Sequence, residues 1–272
     1  MFVCVPPYIV HYYSLVFLLF FFKIVSSMST IVYYLLVYII YSFVIIPYTI
    51  STFIDSTHSI HLGGCAAFVA VGYDLCPTVK FHELVHQVKC AVAHILTMFP
   101  GHTMHVIGHS AGAHLGAEVL ITDWQQEFGL TVEPQTSKNQ ASNTSTNGFI
   151  GSYCLVSGVY DLRPIYRSYV NDACRMSEKE AVIFSPALTP RNKLSERVPA
   201  VPVLIAVGQY DSPCFREQSY EFYTLLKETT KATVSFLEMP GEDHFTSIER
   251  LEEDKYVLSQ QILEICLGRG GD

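Results

Sequence analysis

Charge is almost missing from the start of this 272-residue chain: before Asp55 the only charged side chain is Lys23. A folded soluble surface needs charged groups, so residues 1–54 do not read as a domain able to stand alone in water. No Lys or Arg precedes Tyr13 and no clear small-residue cleavage site follows Phe22, which argues against a secretory signal. Basic residues are scarce throughout, 17 Lys and Arg against 25 Asp and Glu. The resulting net charge of −8 excludes the basic footprint of a nucleic-acid binder. The eight cysteines, Cys4, Cys65, Cys76, Cys90, Cys154, Cys174, Cys214 and Cys266, form no C-x-x-C pair. That spacing fits a reducing cytosol, with Cys65, Cys90, Cys154 and Cys266 expected on buried strand or helix faces. Internal repeats are also absent.

What replaces charge at the start is apolar. Tyr8 to Phe22 is short for a membrane span, whereas Ile31 to Ile50 has the length of one. A membrane association is therefore confined to residues 8–50. Tyr33, Tyr34, Tyr38 and Tyr41 would then lie within the hydrocarbon, and Pro47 would interrupt the second helix. Two other readings stand beside it. The Phe, Tyr, Ile and Leu bias suits translated AT-rich non-coding sequence, the favoured reading, and the β-branched and aromatic run from Ile31 to Ile46 could form a strand.

From Asp55 onward the composition is that of one ordinary soluble domain. Apolar runs near 66–72, 104–107, 151–157, 201–207 and 233–237 alternate with helical patterns, which predicts an α/β fold with a parallel sheet covered by helices on both faces. Leu84, Val88, Ala91, Val92, Ile95 and Phe99 make one apolar stripe at helical spacing. A last helix from about Lys255 is expected to bury Val257, Ile262 and Ile265. Residues 133–147 are polar and without period, as in a surface insertion.

Gly108-His109-Ser110-Ala111-Gly112 is the stretch that carries chemistry. It follows the apolar run Met104 to Ile107 and precedes a helix predicted over Ala113 to Thr122, the strand–turn–helix context of a nucleophile elbow in an α/β-hydrolase sheet. Serine attacks only if a base takes its proton and a third group holds that base. In this architecture the base follows the nucleophile in the chain. Only His114 and His244 of the 11 histidines do so. His114 lies four residues along the same helix, beside rather than over the serine, and reads as structural. His244 follows the strand Thr233 to Leu237 and is the candidate base. Asp161 and Asp211 both follow strands; Asp211 lies on the last strand before the histidine strand, so its loop should neighbour that of His244. Asp211 is favoured, and Asp243 reads as a solvated charge. His109 reads as packing.

The stretches around these residues, Gly108 to Leu115, Leu155 to Leu162 with Pro164-Ile165, Val207 to Pro213 with Gln218-Ser219 and Glu221-Phe222-Tyr223, and Asp243-His244-Phe245, resemble kynurenine formamidase (arylformamidase). The likeness runs from about Gly64 to Leu267. It implies an α/β-hydrolase that hydrolyses N-formyl-L-kynurenine to L-kynurenine and formate, with Ser110 as nucleophile, Asp211 as orienting acid, His244 as base and the Ala111 N–H in the oxyanion hole. No metal and no cofactor are implied, and the partner is a small-molecule substrate. A general arylesterase or carboxylesterase is the alternative. The family's His-Gly-Gly loop, which supplies further oxyanion donors, is poorly matched by His61-Leu62-Gly63-Gly64. The strand leading into it, which belongs between those near 66–72 and 104–107, is also unmatched. Something must fill that slot or central strands are left unpaired. A catalytically defective hydrolase is therefore a further reading, as is a membrane-anchored protein.

His82-Glu83-Leu84-Val85-His86 is a formal H-E-x-x-H, which on a helix could bind zinc with Glu83 as base. No third ligand follows at a suitable spacing, so His82, His86 and Lys89 are expected to form the wet face of an amphipathic helix.

Overall fold

The computed structural model describes residues 17–23, 68–132, 148–253 and 255–267. Six strands form one sheet in the order β2-β1-β3-β4-β5-β6. They are β1 (Phe17–Lys23), β2 (Phe68–Ala70), β3 (Thr103–His109), β4 (Phe149–Val156), β5 (Pro202–Gly208) and β6 (Thr233–Met239). β3 to β6 run parallel, and β1 is antiparallel to both of its neighbours. The five expected strands are all present, lengthened or trimmed by a few residues at their ends. Parallel strands need crossovers, and the crossovers are the predicted helices. α1 (Phe81–Met98) leads into β3, α2 (Ala111–Leu120) and the short α3 (Trp124–Phe128) follow it. Between β4 and β5 lies an excursion of four short helices, α4 (Arg163–Tyr166), α5 (Asn171–Cys174), α6 (Glu178–Ile183) and α7 (Arg191–Arg197). α8 (Pro213–Thr229) joins β5 to β6, and α9 (Thr246–Glu249) precedes the last helix, α10 (Val257–Leu267).

Every residue of β3 is buried, which places cover on both faces of the sheet. On one face Met104, Val106, Tyr153, Leu155, Val203 and Ile205 pack with the apolar stripes of α1 and α2 and with Phe222 and Leu226 of α8. Leu84, Val88, Val92 and Ile95 of the α1 stripe are buried as their spacing requires. On the other face Ile107, Cys154 and Leu204 share a register row and are buried, and Cys266 of α10 lies against Cys154 and Ser152.

Several expectations are corrected. The strand slot beside β3 is filled by Phe17–Lys23 and not by the run Ile31 to Ile46, which lies outside the described residues, as do Ile31 to Ile50 and His61 to Gly64. The second half of the apolar stretch Tyr8 to Phe22 is accordingly strand and not helix. Among the described residues no helix is long and apolar enough to cross a membrane. Val257 is exposed at the start of α10, whereas Ile262 is buried. Cys90 is exposed, although Cys154 and Cys266 are buried. The reason is angular: Cys90 sits two residues from both Val88 and Val92, on the opposite side of the helix.

The polarity of β1 has a consequence for the site. Phe17 pairs with His109 at the carboxyl end of β3, and Lys23 pairs with Thr103 at the amino end. A strand parallel to β3 would bring its carboxyl end to that rim, whereas β1 brings its amino end, Phe17, there and has its carboxyl end, Lys23, at the opposite edge. The backbone pairing predicts that Phe20→Pro, opposite Val69 and Val106, removes a ladder donor inside a flanked strand and destabilises the fold by about 1–3 kcal/mol. Urea unfolding measures this, and an unchanged midpoint would place β1 outside the sheet in solution.

Candidate active site

Ser110 sits at the turn between β3 and α2 with φ 57° and ψ −122°, in a region that side-chain-bearing residues rarely occupy. Its N–H donates to Val156 O at 2.9 Å, and its carbonyl accepts from Ala113 and His114 in the first turn of α2. A Cβ on Gly108 would overlap the Gly112 carbonyl and lie 2.7 Å from Ala113 N. Glycine at 108 is thus what lets helix and strand approach closely enough to form the turn. The Ala111 N–H belongs to the first helical turn, where no intrahelical acceptor exists and an anion is favoured.

The other two expected residues arrive from loops stitched to each other. Gln209 N donates to Met239 O, Tyr210 N to Glu242 O, and Gly241 N to the Gln209 side chain. Within this pair of loops His244 Nδ1 lies 2.7 Å from Asp211 Oδ1, and His244 Nε2 lies 3.0 Å from Ser110 Oγ. An ionised carboxylate only accepts, so Nδ1 carries the imidazole proton and Nε2 is left to accept from the serine hydroxyl. Ser110 is 3% exposed and the His244 side chain 15%, so the three groups interact away from bulk water. Burial raises the Asp211 carboxyl, but hydrogen bonds from His244, Ser157 and the Gly208 N–H outweigh it and hold the group below its usual range.

Asp161 is elsewhere: Arg163 grips it through paired N–H groups at 2.6–3.0 Å. Asp243 is exposed yet not idle, because its Oδ1 accepts from Phe245 N and Thr246 N and so orders the turn that carries His244. That corrects the reading of a merely solvated charge. His114 is buried, donates Nδ1–H to Val159 O at 2.9 Å and is pushed down to about 4 by desolvation, so it stays neutral and structural. His109 departs from the packing expectation, for it donates Nε2–H to the carbonyl of His244 at 2.8 Å.

The H-E-x-x-H residues are occupied separately. Glu83 caps α1 by accepting from Lys80 N, His82 faces Glu180 at 3.3 Å, and His86 meets Cys90 Sγ at 3.3 Å. Lys89 was expected in water but is largely covered, held between Glu118 at 3.5 Å and Glu127 at 3.6 Å.

Two neighbours of the site were not singled out from the sequence. Ser157, at φ 49°, donates to Asp211 Oδ2 at 2.6 Å, and Phe215 lies on the His244 ring at 4.5 Å between centroids. Ser157 ends a β-strand beside a glycine, a turn signal that points to geometry but not to a carboxylate partner.

The comparisons with known proteins agree with this architecture. Over 199 residues the chain is 38% identical to the kynurenine formamidase of Salmo salar, covering 72% of this chain and 61% of that protein. It is 36% identical over 201 residues to the kynurenine formamidase of Danio rerio, covering 74% and 62%. The chain is a homologue of the kynurenine formamidases. It matches about three fifths of the length of these relatives. No family profile matches it. Among solved structures, the esterase rPPE superposes with a TM-score of 0.55 at 16% identity, over 81% of this chain and 70% of the other. A carbohydrate esterase from gut microbiota gives 0.52 at 15%, over 75% of each. These likenesses establish an α/β-hydrolase fold.

The site predicts two pH effects. Asp211 has a depressed value, so its stabilising contribution is present above the ordinary carboxylate range and lost as pH falls through the native value. Ser157→Ala removes one donor, and acid unfolding followed by circular dichroism is expected at higher pH than in the parent chain. Glu118 behaves oppositely: burial lifts it to about 7 against an ordinary 4.5, so the fold prefers it neutral and is disfavoured as pH rises through that value. Glu118→Gln is expected to gain up to about 3 kcal/mol relative to the parent on moving from pH 5 to pH 8.5. Urea titrations at both pH values decide it, and a relative loss at pH 8.5 would mean that the Lys89 pair dominates.

Proposed function

We propose that this formamidase homologue is a serine hydrolase that cleaves N-formyl-L-kynurenine to L-kynurenine and formate. The observation that carries this reading is the hydrogen-bonded chain Ser110 Oγ, His244 and Asp211, at 3.0 and 2.7 Å. Ser110 attacks the formyl carbon as His244 Nε2 takes its proton. The imidazolium that forms is stabilised by the ionised Asp211 carboxylate. The carbonyl oxygen becomes an oxyanion, and the Ala111 N–H is placed by the helix start to donate to it. Collapse breaks the C–N bond, and His244 returns the proton to the leaving aromatic amine. Water, deprotonated by His244, then attacks the formyl ester and releases formate and free Ser110. The acyl side is one carbon, so it needs almost no room, and discrimination falls to the aromatic amine. This chemistry proceeds through the chain's own groups without a cofactor.

The homology to kynurenine formamidases supports the substrate, and the esterase-like fold leaves activated aryl esters as a related class. One observation favours a second reading, a hydrolase with impaired turnover. β1 occupies the strand slot antiparallel to β3, opposite to the direction of a strand that leads into a loop at the rim beside Ser110, and each oxyanion donor lost costs about a hundred- to a thousandfold in turnover.

Formate release from N-formylkynurenine and labelling by a fluorophosphonate test both. The parent chain is expected to label once, at Ser110, and Ser110→Ala is expected to lose labelling and at least about a thousandfold in kcat. Substantial turnover by Ser110→Ala would overturn the mechanism. Labelling without turnover would establish the impaired form.

A further inference from the structure

His109 occupies the variable position after the first glycine of the nucleophile turn. Apolar packing would suffice at a position so deeply buried. Its surroundings are of another kind. The side chain is 1% exposed, and a buried imidazole without polar partners is costly. Nε2 lies 2.8 Å from the backbone carbonyl oxygen of His244, a residue 135 positions later in the chain. A carbonyl only accepts, so Nε2 carries the proton. The His109 ring also packs on the His244 ring, with centroids 4.6 Å apart and planes tilted by 44°. Phe215 packs on the same imidazole at 4.5 Å.

We propose that His109 is a positioning residue: its Nε2–H fixes the backbone of the His244 loop to the end of the strand that carries Ser110. The inference rests on the hydrolase reading above and deepens it, because it names what registers base to nucleophile. Asp211 restrains one nitrogen of His244, and the bonds between their two loops tie those loops to each other rather than to the strand that carries Ser110. Ser247 Oγ also donates to the His244 carbonyl, at 3.1 Å, but it lies three residues along the same turn and would travel with it. His109 is different in kind: it belongs to β3, the element that ends in Ser110. One bond therefore ties base and nucleophile to a common rigid strand. A shift of about 1 Å in such a contact costs up to about a hundredfold in rate.

Three substitutions test this on the full chain, with N-formylkynurenine, an activated aryl ester and a fluorophosphonate as probes. His109→Leu removes donor and ring; His109→Gln places an amide N–H the same number of bonds from Cα; His109→Asn places it one bond short. His109→Leu is expected to lower kcat and the labelling rate by about tenfold or more with KM within about twofold, and His109→Gln to recover to within about threefold of the parent. A purely structural role would move stability without this split and without rescue. Parent-like kcat in His109→Leu, an equal loss in His109→Gln, or a loss confined to KM would overturn the proposal. Should His109→Leu fail to fold, the Gln and Asn variants decide: Asn falling while Gln holds supports it, and equal behaviour refutes it. If the parent itself turns over no substrate, the hydrolase reading fails separately. The bond is then read by nitrogen-edited NMR: a slowly exchanging His109 Nε2 proton, with His244 ring signals that move more in His109→Asn than in His109→Gln, supports positioning. Its absence refutes it.

Discussion

A serine held at φ 57° is the constraint on which the site depends. Such a conformation costs about 1–3 kcal/mol and persists only where the surroundings over-determine it. Here they do. The Ser110 N–H is taken by Val156 O on the neighbouring strand, and its carbonyl begins the α2 ladder. Gly108 and Gly112 meet so closely that no side chain fits between them. The turn projects Oγ from the end of a fully buried strand toward the loops that follow β5 and β6. Relaxing the backbone would swing the hydroxyl away from His244, so geometry and strain are one feature of the site.

Asp211 and His244 come from the other end of the sheet through a different device. Gly208 has the same close fit as Gly108, since a Cβ there would lie 2.7 Å from Glu242 O and 2.9 Å from Asp243 O. The loops after β5 and β6 therefore pack backbone to backbone. The loop after β6 is further pinned by two carboxylates: Asp243 orders the turn that carries His244, and buried Glu242 pairs with Arg250. Asp211 is then left with three donors, His244, Ser157 and the Gly208 N–H, that favour its ionised form, and these outweigh burial. Rigid supports on both sides explain how residues 134 positions apart keep a 3.0 Å contact.

Much of this was legible in the sequence because it follows from local rules. The strand–turn–helix context of Ser110, the order of nucleophile, acid and base, and the neighbouring of the last two loops need only periodicity and parallel topology. What stayed hidden depends on long-range contacts that no spacing encodes. Ser157 reaches Asp211 across two strands, and His109 reaches a backbone atom, which has no residue signature at all. Lys89 looked solvated because lysine usually is. Only the packing of α1 on α2 and α3 places it between Glu118 and Glu127. Phe17–Lys23 escaped recognition as a strand because an unbroken apolar run carries no period of two, and length alone pointed to the later run.

The filled slot separates two requirements that the fold otherwise satisfies together. Backbone groups of β2 and β3 need a partner strand, and either direction supplies hydrogen bonds of similar quality. Sheet integrity is therefore indifferent to the polarity of β1. The chemistry is not, because polarity decides which end of a strand feeds the rim. With Lys23 opposite Thr103, the chain that follows β1 leaves at the edge remote from Ser110. At the rim the start of α2 brings together the Ala111 N–H and the helix dipole, a place that favours an anion. A strand can thus meet the backbone's need for a partner without repeating the direction of its parallel neighbours.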